Sequence, residues 1–359
     1  MRRYLWLAFA FALTGCSEPQ EPAGFAGLAG VMDSDTEIPF LQPSPGEQLS
    51  FPADLGPHPQ HRIEWWYLTA NLETDEGEPL GLQWTQFRQA IKPRPAGTSP
   101  PDPGEWPLEA AWMAHAAVSF DRQHYFTEKL ARGDVGHAGA TAEPFAVWLD
   151  HWQLTEPPGE DPWRLQVAAD NWSYDLSLKV QGEPVAHGQQ GFIAKSASGE
   201  GSMYFSLTDI QIEGTVTLGD ETLKVSGKGW FDREWSSQFL KGGQEGWDWF
   251  ALHLESGDKL MAFQLREADG AFRSGTWIPA QGSPVALSPD QLRIKPMSGQ
   301  EGYPRQWQLE VPEYGVSLEM SAPTGDYLNA GLYPYWESPV TVSGSHSAVG
   351  YMELTGYSE

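Results

Sequence analysis

Residues 64–74, "EWWYLTANLET", lie closely over residues 246–256, "GWDWFALHLES". Trp65 falls on Trp247, Tyr67 on Trp249, Leu72 on Leu254 and Glu73 on Glu255. Each stretch is followed by a turn and a second strand-like run, "LQWTQFR" at 82–88 and "LMAFQLR" at 260–266, both ending Gln-x-Arg. Self-similarity at this distance marks a duplicated unit. Further on, "WRLQVAADNWSYDLSLKV" at 163–180 matches "RQWQLEVPEYGVSLEMS" at 305–321, and "YFSLTDI" at 204–210 is laid on "YMELTGY" at 351–357. Leu165 and Val167 alternate with Gln166, and Leu176 and Leu178 with Ser177, the period-2 pattern of a sheet with one buried face. The 38 glycines and 29 prolines supply frequent turns, and no long 3.6-residue pattern stands outside the N-terminus. The chain is expected to be all-β, with two tandem antiparallel barrels packed together, since closure removes exposed edges. The division reads as a first barrel over 49–220 and a second over 221–359. The segment between the copies, roughly 211–245, has no counterpart at the C-terminus, and its part 221–245 reads as the junction.

The ends and the charge narrow the function. Arg2 and Arg3 precede the apolar run "YLWLAFAFALT", too short to span a bilayer, and "LTGC" closes it at residues 13–16. Residues 1–16 read as a secretory signal with a lipobox, and Cys16, the single cysteine, as the lipidated residue. Residues 17–48 read as a flexible tether. This predicts an envelope lipoprotein facing the periplasm, held to the membrane by its anchor, with the outer membrane favoured by Ser17. A net charge of −26 excludes nucleic acid as a partner.

The junction holds "GKGWFDREWSSQF", 227–239. Strand alternation puts Trp230, Asp232 and Glu234 on one face and Phe231, Arg233 and Trp235 on the other. An acid in a Trp-lined setting has a raised pKa and can protonate a carbon–carbon double bond, and aromatic faces stabilise the resulting cation. Asp232, Glu234 and Trp235 are therefore the candidate catalytic residues. Glu64, Trp65, Trp66, Tyr67, Trp230, Arg233, Trp247, Asp248 and Trp249 are candidates for ligand binding. The alternative is a structural ion network, with Arg62, Arg88 or Arg266 as the cation beside the acids. Gly-x-Ser-x-Gly and His-Glu-x-x-His do not occur. His58 and His61 fit a polar loop, His115 and His253 core strands, and no metal site or cofactor is read.

"HRIEWWYLTANL", "YFSLTDIQIEGTV", "GWFDREWSSQ", "GWDWFALHL" and "YMELTGY" together resemble the AttH-like family, which includes carotenoid 1,2-hydratases. The resemblance spans about residues 50–359 and implies tandem lipocalin-like barrels. The hydratase branch is similar in carrying Asp-His-x-Trp where this chain has Asp232 and Trp235. Arg233 replaces the histidine, and an arginine does not deliver protons near neutral pH. The first functional expectation is binding of a hydrophobic or amphipathic ligand, of the lipid or isoprenoid class. The second is a hydratase or secreted hydrolase acting on such a ligand, and the third a scaffold for an envelope ABC-type transporter complex.

Overall fold

The duplicated strands open the two halves of the molecule. A computed structural model describes residues 39–357 apart from 96, 160–161, 239–242, 269 and 298–301. The signal, Cys16 and most of the tether lie outside the described residues. The first half contains β1 (Ile63–Thr74), β2 (Pro79–Ala90), β3 (Ala110–Phe120), β4 (Gln123–Arg132), β5 (Ala138–Ala142), β6 (Phe145–Leu149), β7 (Trp152–Thr155), β8 (Trp163–Ala168), β9 (Trp172–Val180), β10 (Val185–Ala186), β11 (Phe192–Ala194), β12 (Gly201–Leu218) and β13 (Glu221–Ser236). The second contains β14 (Gln244–Leu254), β15 (Lys259–Glu267), β16 (Gly270–Ile278), β17 (Val285–Leu287), β18 (Arg293–Pro296), β19 (Gln306–Val311), β20 (Val316–Ser321), β21 (Leu328–Asn329), β22 (Tyr335–Gly344) and β23 (Ala348–Leu354). The described strands form two antiparallel sheets, one per half, ordered β4-β3-β2-β1-β13-β12-β9-β8-β7-β6-β5 and β17-β16-β15-β14-β23-β22-β20-β19-β18. The all-β, two-barrel reading holds.

Each sheet curls over its own apolar core. In the first, Trp66, Leu68, Trp84 and Phe231 meet Phe145, Val147, Trp152 and Leu165 from the returning strands. In the second, Phe250, Leu252 and Leu260 meet Trp307, Leu309, Leu318 and Trp336. Arg164 and Gln166, between the buried Trp163, Leu165 and Val167, are less covered, as alternation requires. β1, β12, β13 and β14 behave otherwise and are buried on both faces over much of their length. Their outer faces meet across the molecule: Tyr67, Tyr204 and Trp230 pack with Trp249, Phe263 and Tyr351 in a third cluster joining the two sheets.

The segment 221–245 differs from expectation. Its strand, β13, pairs with β1 on one side and β12 on the other, inside the first sheet. The two sheets therefore divide after Ser236, beyond the 220/221 boundary read from the duplication. The strand also has a counterpart. Both β1 and β14 open a half and pair with the hairpin partners β2 and β15. On its other edge β1 meets β13, and β14 meets β23. By position β13 therefore corresponds to β23, and β12 to β22. The likeness of "YFSLTDI" to "YMELTGY" crosses two non-equivalent strands. Register, unlike letter similarity, is set by which face each residue must bury.

Candidate functional site

Register locates the equivalent residues. Tyr67 pairs with Asp232, and Trp249, the counterpart of Tyr67, pairs with Glu353. Asp232 pairs in turn with Ser206, and Glu353 with Glu337. Asp232 and Glu353 are thus matching positions of the two halves, as are Ser206 and Glu337. Continuing each ladder by two residues matches Tyr204 to Tyr335. All these side chains lie on the outer faces that meet between the sheets.

Asp232, 2% exposed, accepts hydrogen bonds on one carboxylate oxygen from Ser206 and from Trp230 Nε1, the latter at 2.8 Å. Burial pushes its carboxyl up to about 7, against the opposing hydrogen bonds of Ser206, Trp230 and Tyr204. Ser206 also meets His187 Nε2 at 2.6 Å, and His187 Nδ1 meets Thr276 Oγ1 at 2.8 Å across the interface. Burial lowers His187 to about 3, so the ring is neutral at ordinary pH.

On the other side, Trp247 Nε1 donates to half-buried Glu353. Desolvation pushes that carboxyl up to about 7, with hydrogen bonds from Trp247 and Tyr67 opposing. Glu337, 1% exposed, accepts from the Tyr67 hydroxyl and, at 3.1 Å, from Asn329 Nδ2. Burial and then the nearby Glu353 charge hold Glu337 well above the carboxylate range. Trp249 Nε1 donates to the Tyr204 hydroxyl at 3.1 Å. Half-buried Trp65, Trp247 and Phe272 pack against the edge of this cluster. Glu234 faces the same side but is paired with Lys195 at 2.9 Å.

The structure brings together Asp232, Glu234, Trp230, Trp65, Tyr67, Trp247 and Trp249 from the sequence-derived set. It turns Glu64, Trp66, Arg233, Trp235 and Asp248 away from the interface. Glu64 is fully buried within the first half and accepts from Arg88 and Arg233, while the Arg233 guanidinium lies 3.9 Å from the Trp66 ring centre. Trp235 stacks on His58 at 3.7 Å. Asp248 takes Arg266, Gln264 and Tyr357 as partners in the second half. Among the described residues Asp232 and Glu234 have Ser206, Trp230 and Lys195 as partners and not the expected arginine. Arg88 and Arg266 stand on the opposite faces of their sheets, and the cation that reaches Glu234 is a lysine. His115 and His253 are buried and hydrogen-bonded, as expected, to Tyr335 and Glu128 and to the Thr208 carbonyl respectively.

Glu337, Glu353, Tyr335, Tyr204, Ser206 and His187 were missed. The detectable signal for Glu353 and Glu337 was the strand register, which pairs "WFDRE" with "YME" and "YFS" with "YWE". Among the described residues no group of His, Cys, Asp and Glu could hold a metal ion. A groove of about 540 Å³ on the first sheet lies near the far end of β13 from Asp232. Its charged residues include Arg164 and Asp175, already paired with each other.

Two aromatic-flanked carboxyls that titrate near neutrality, with no arginine beside them, can exchange protons with a bound apolar molecule. Dehydratase asqC of Emericella nidulans is 26% identical over 185 residues, which cover 47% of this chain and 52% of that protein. The chain thus spans about half the length of this curated relative. Kievitone hydratase from Nectria haematococca shares the fold, with a TM-score of 0.63 at 17% identity over 90% of this chain and 99% of that one. The crystal structure of an AttH from Nitrosomonas europaea superposes with a TM-score of 0.76 at 30% identity, covering 89% of this chain and 100% of that chain. A family model described as AttH-like matches residues 42–357, and with tandem lipocalin-like barrels built from a duplicated unit, the chain belongs to the AttH-like family.

Proposed function

We propose that the protein is a hydro-lyase, adding water to, or removing it from, an apolar substrate held between the two barrels. The observation that carries this is the matched pair Asp232 and Glu353, both near 7 beside Trp230, Trp247 and Trp249. A general acid works best with a pKa close to the working pH. In the hydrating direction, protonated Asp232 gives its proton to one alkene carbon, and the π pair forms the new C–H bond. The neighbouring carbon becomes a tertiary cation facing the indole rings. A water oxygen bonds to that carbon, and its surplus proton passes to ionised Glu353. Dehydration runs the same steps backwards. This reading replaces binding alone as the main one, because storage of an apolar ligand gives no reason to bury uncompensated acids, which cost stability. The hydratase and dehydratase names among the comparisons support it. The "LTGC" leader would hold such an enzyme beside a membrane, where apolar isoprenoid or lipid substrates collect.

The test is incubation of purified protein in oxygen-18 water with acyclic isoprenoid alkenes and their tertiary alcohols, followed by mass spectrometry. Label is expected in the alcohol, with Asp232→Asn and Glu353→Gln each slowing incorporation by about a hundredfold or more. Equal incorporation in wild type and both variants would remove the acid–base assignment. Retention of an unmodified lipid by native protein, with no label incorporated, would restore the carrier reading.

A further inference from the structure

A chain of exchangeable groups runs from Glu337 along the seam to the surface at the β4 edge of the first sheet, where Glu128 also accepts from the Leu332 amide. Glu128, on β4, is part-exposed, and its carboxylate meets His115 Nε2 at 2.9 Å. His115 Nδ1 meets the Tyr335 hydroxyl at 3.0 Å. Tyr335 stands two residues before Glu337 on the same face of β22, Glu337 accepts from the Tyr67 hydroxyl, and Tyr67 lies beside Glu353. His115 is 1% exposed and sits among Phe87, Phe126 and Tyr335, so its two nitrogens reach these two partners and little else.

The donors share one direction. An ionised Glu128 only accepts, so His115 carries its hydrogen on Nε2. Nδ1 is then a bare acceptor and takes the Tyr335 hydrogen. Gln83 Nε2, at 2.8 Å, donates into the Tyr335 oxygen, leaving that hydroxyl hydrogen for His115. At the inner end the Tyr67 hydroxyl donates to Glu337.

We propose that Glu128, His115 and Tyr335 form a proton path joining the buried Glu337, and through Tyr67 the reacting carboxyl Glu353, to solvent. This rests on the hydro-lyase reading, in which Glu353 gains one proton per hydration. Substrate bound against Trp247, which donates to Glu353, covers the half-buried side of that carboxyl, and the path remains open behind it. The proton of Glu353 moves to the Tyr67 oxygen as the Tyr67 hydrogen passes to Glu337. The proton of Glu337 moves to the Tyr335 oxygen as the Tyr335 hydrogen passes to Nδ1. The Nε2 hydrogen then passes to Glu128 and on to water. One proton leaves Glu353, one reaches water, and every intermediate group ends with the number it began with. In dehydration the flow reverses. Glu128, His115 and Tyr335 are positioning and relay residues that need not touch substrate.

The test requires no substrate. Infrared difference spectra at about pH 6 follow the protonated-carboxyl band that Glu337→Gln removes, after rapid transfer of full-length protein into heavy water. Tyr67→Phe closes the alternative route through Glu353 and serves as the reference. Adding His115→Leu to it is expected to slow hydrogen–deuterium exchange of that band by about tenfold or more. Adding Glu128→Gln, a change at the part-exposed end that leaves the inner core untouched, should slow it in the same sense if the leucine variant folds poorly. Equal exchange rates in the reference and in the Glu128→Gln variant overturn the path, as does a wild type without a band assignable to Glu337. Neither result bears on the isotope-incorporation assay, and failure of that assay would leave these exchange rates unchanged.

Discussion

Replacing Asp232 by asparagine should make the protein more stable at alkaline pH while disabling the site. Burial raises the Asp232 carboxyl from 3.8 to about 7. Sign and size follow from linkage. An acid whose folded pKa lies above its unfolded value favours the native state below the unfolded pKa. It withdraws that support as pH rises through the interval between the two values, until the folded pKa is passed. The difference is about 3 pKa units, and at about 1.36 kcal/mol per unit the ionisable group costs the wild type about 4 kcal/mol at pH 8. Near pH 5.5 the same expression leaves about 2 kcal/mol, and below about pH 4 almost nothing. Asparagine retains a carbonyl oxygen that can accept from Ser206 and from Trp230 Nε1, the two donors found on a single oxygen of Asp232. It adds no charge to desolvate. Urea unfolding followed by tryptophan fluorescence, with wild type and variant compared at matched slope, reads the difference. The expected gain is largest at pH 8 and about half as large near pH 5.5. A variant less stable than wild type at pH 8, or a gain independent of pH, would refute the argument that Asp232 is a desolvated acid near neutrality.

Two further outcomes follow from other parts of the fold and a third from the leader sequence. Glu64→Gln should lower stability by about 3–5 kcal/mol at pH 7 by stranding Arg88 and Arg233. Although burial alone would raise the Glu64 pKa, the two guanidiniums hold it well below 4.5, so the wild-type advantage in urea melts must shrink as pH falls below that value. Gly350→Ala drives a Cβ into the Ala251 carbonyl oxygen of the paired strand. It should cost about 3 kcal/mol in a thermal or urea melt, and a neutral result would contradict the close pairing of β14 and β23. Cys16→Ser should leave an uncleaved precursor, and normal membrane fractionation would contradict the lipobox.

The fold was legible because its evidence is local. Period-2 runs such as "WRLQVA", dense turns and the repeated "EWWYL" and "WDWFA" stretches need no knowledge of distant partners. The site was half legible. "WFDRE" was conspicuous for mixing aromatics with charge, and its alternation correctly put Trp230, Asp232 and Glu234 on one side. The partners of those residues are decided by which strand lies next to which, and that is non-local. Similar letters drew "YMELTGY" onto "YFSLTDI", although register places it opposite the role of "WFDRE". Glu353 consequently went unnoticed, and Glu337, in the unremarkable "YPYWES", had no sequence cue apart from that register. The expectation of an arginine beside Asp232 and Glu234 failed for the same reason, whereas the arginine expected for Glu64 from the other motif is Arg233. Proximity in sequence says nothing about which face of a sheet two side chains share.

The distribution of charge over those faces explains why acids near neutrality can exist here at all. On the inner faces each buried carboxylate has a guanidinium. Glu64 has Arg88 and Arg233, and Asp248 has Arg266. These groups tie together strand ends within their own halves. On the outer faces Glu234 engages Lys195 and Asp209 engages Lys259, leaving Asp232, Glu337 and Glu353 with hydroxyls, indoles and an amide as hydrogen-bond partners. Hydrogen bonds from neutral donors oppose a raised pKa without cancelling the loss of water, whereas an arginine at contact distance would hold the acid ionised. Duplication followed by divergence accounts for the arrangement. Two barrels that each need a cation only on the inside, packed back to back on their outer faces, bury acids from both copies in one seam. Substitution at one matched position, serine 206 against glutamate 337, then makes the seam unsymmetrical. One half presents a carboxyl steadied by a hydroxyl and a histidine, and the other a pair of carboxyls sharing a tyrosine. That inequality is what acid–base chemistry requires of two groups with otherwise similar surroundings, one to give a proton while the other receives it.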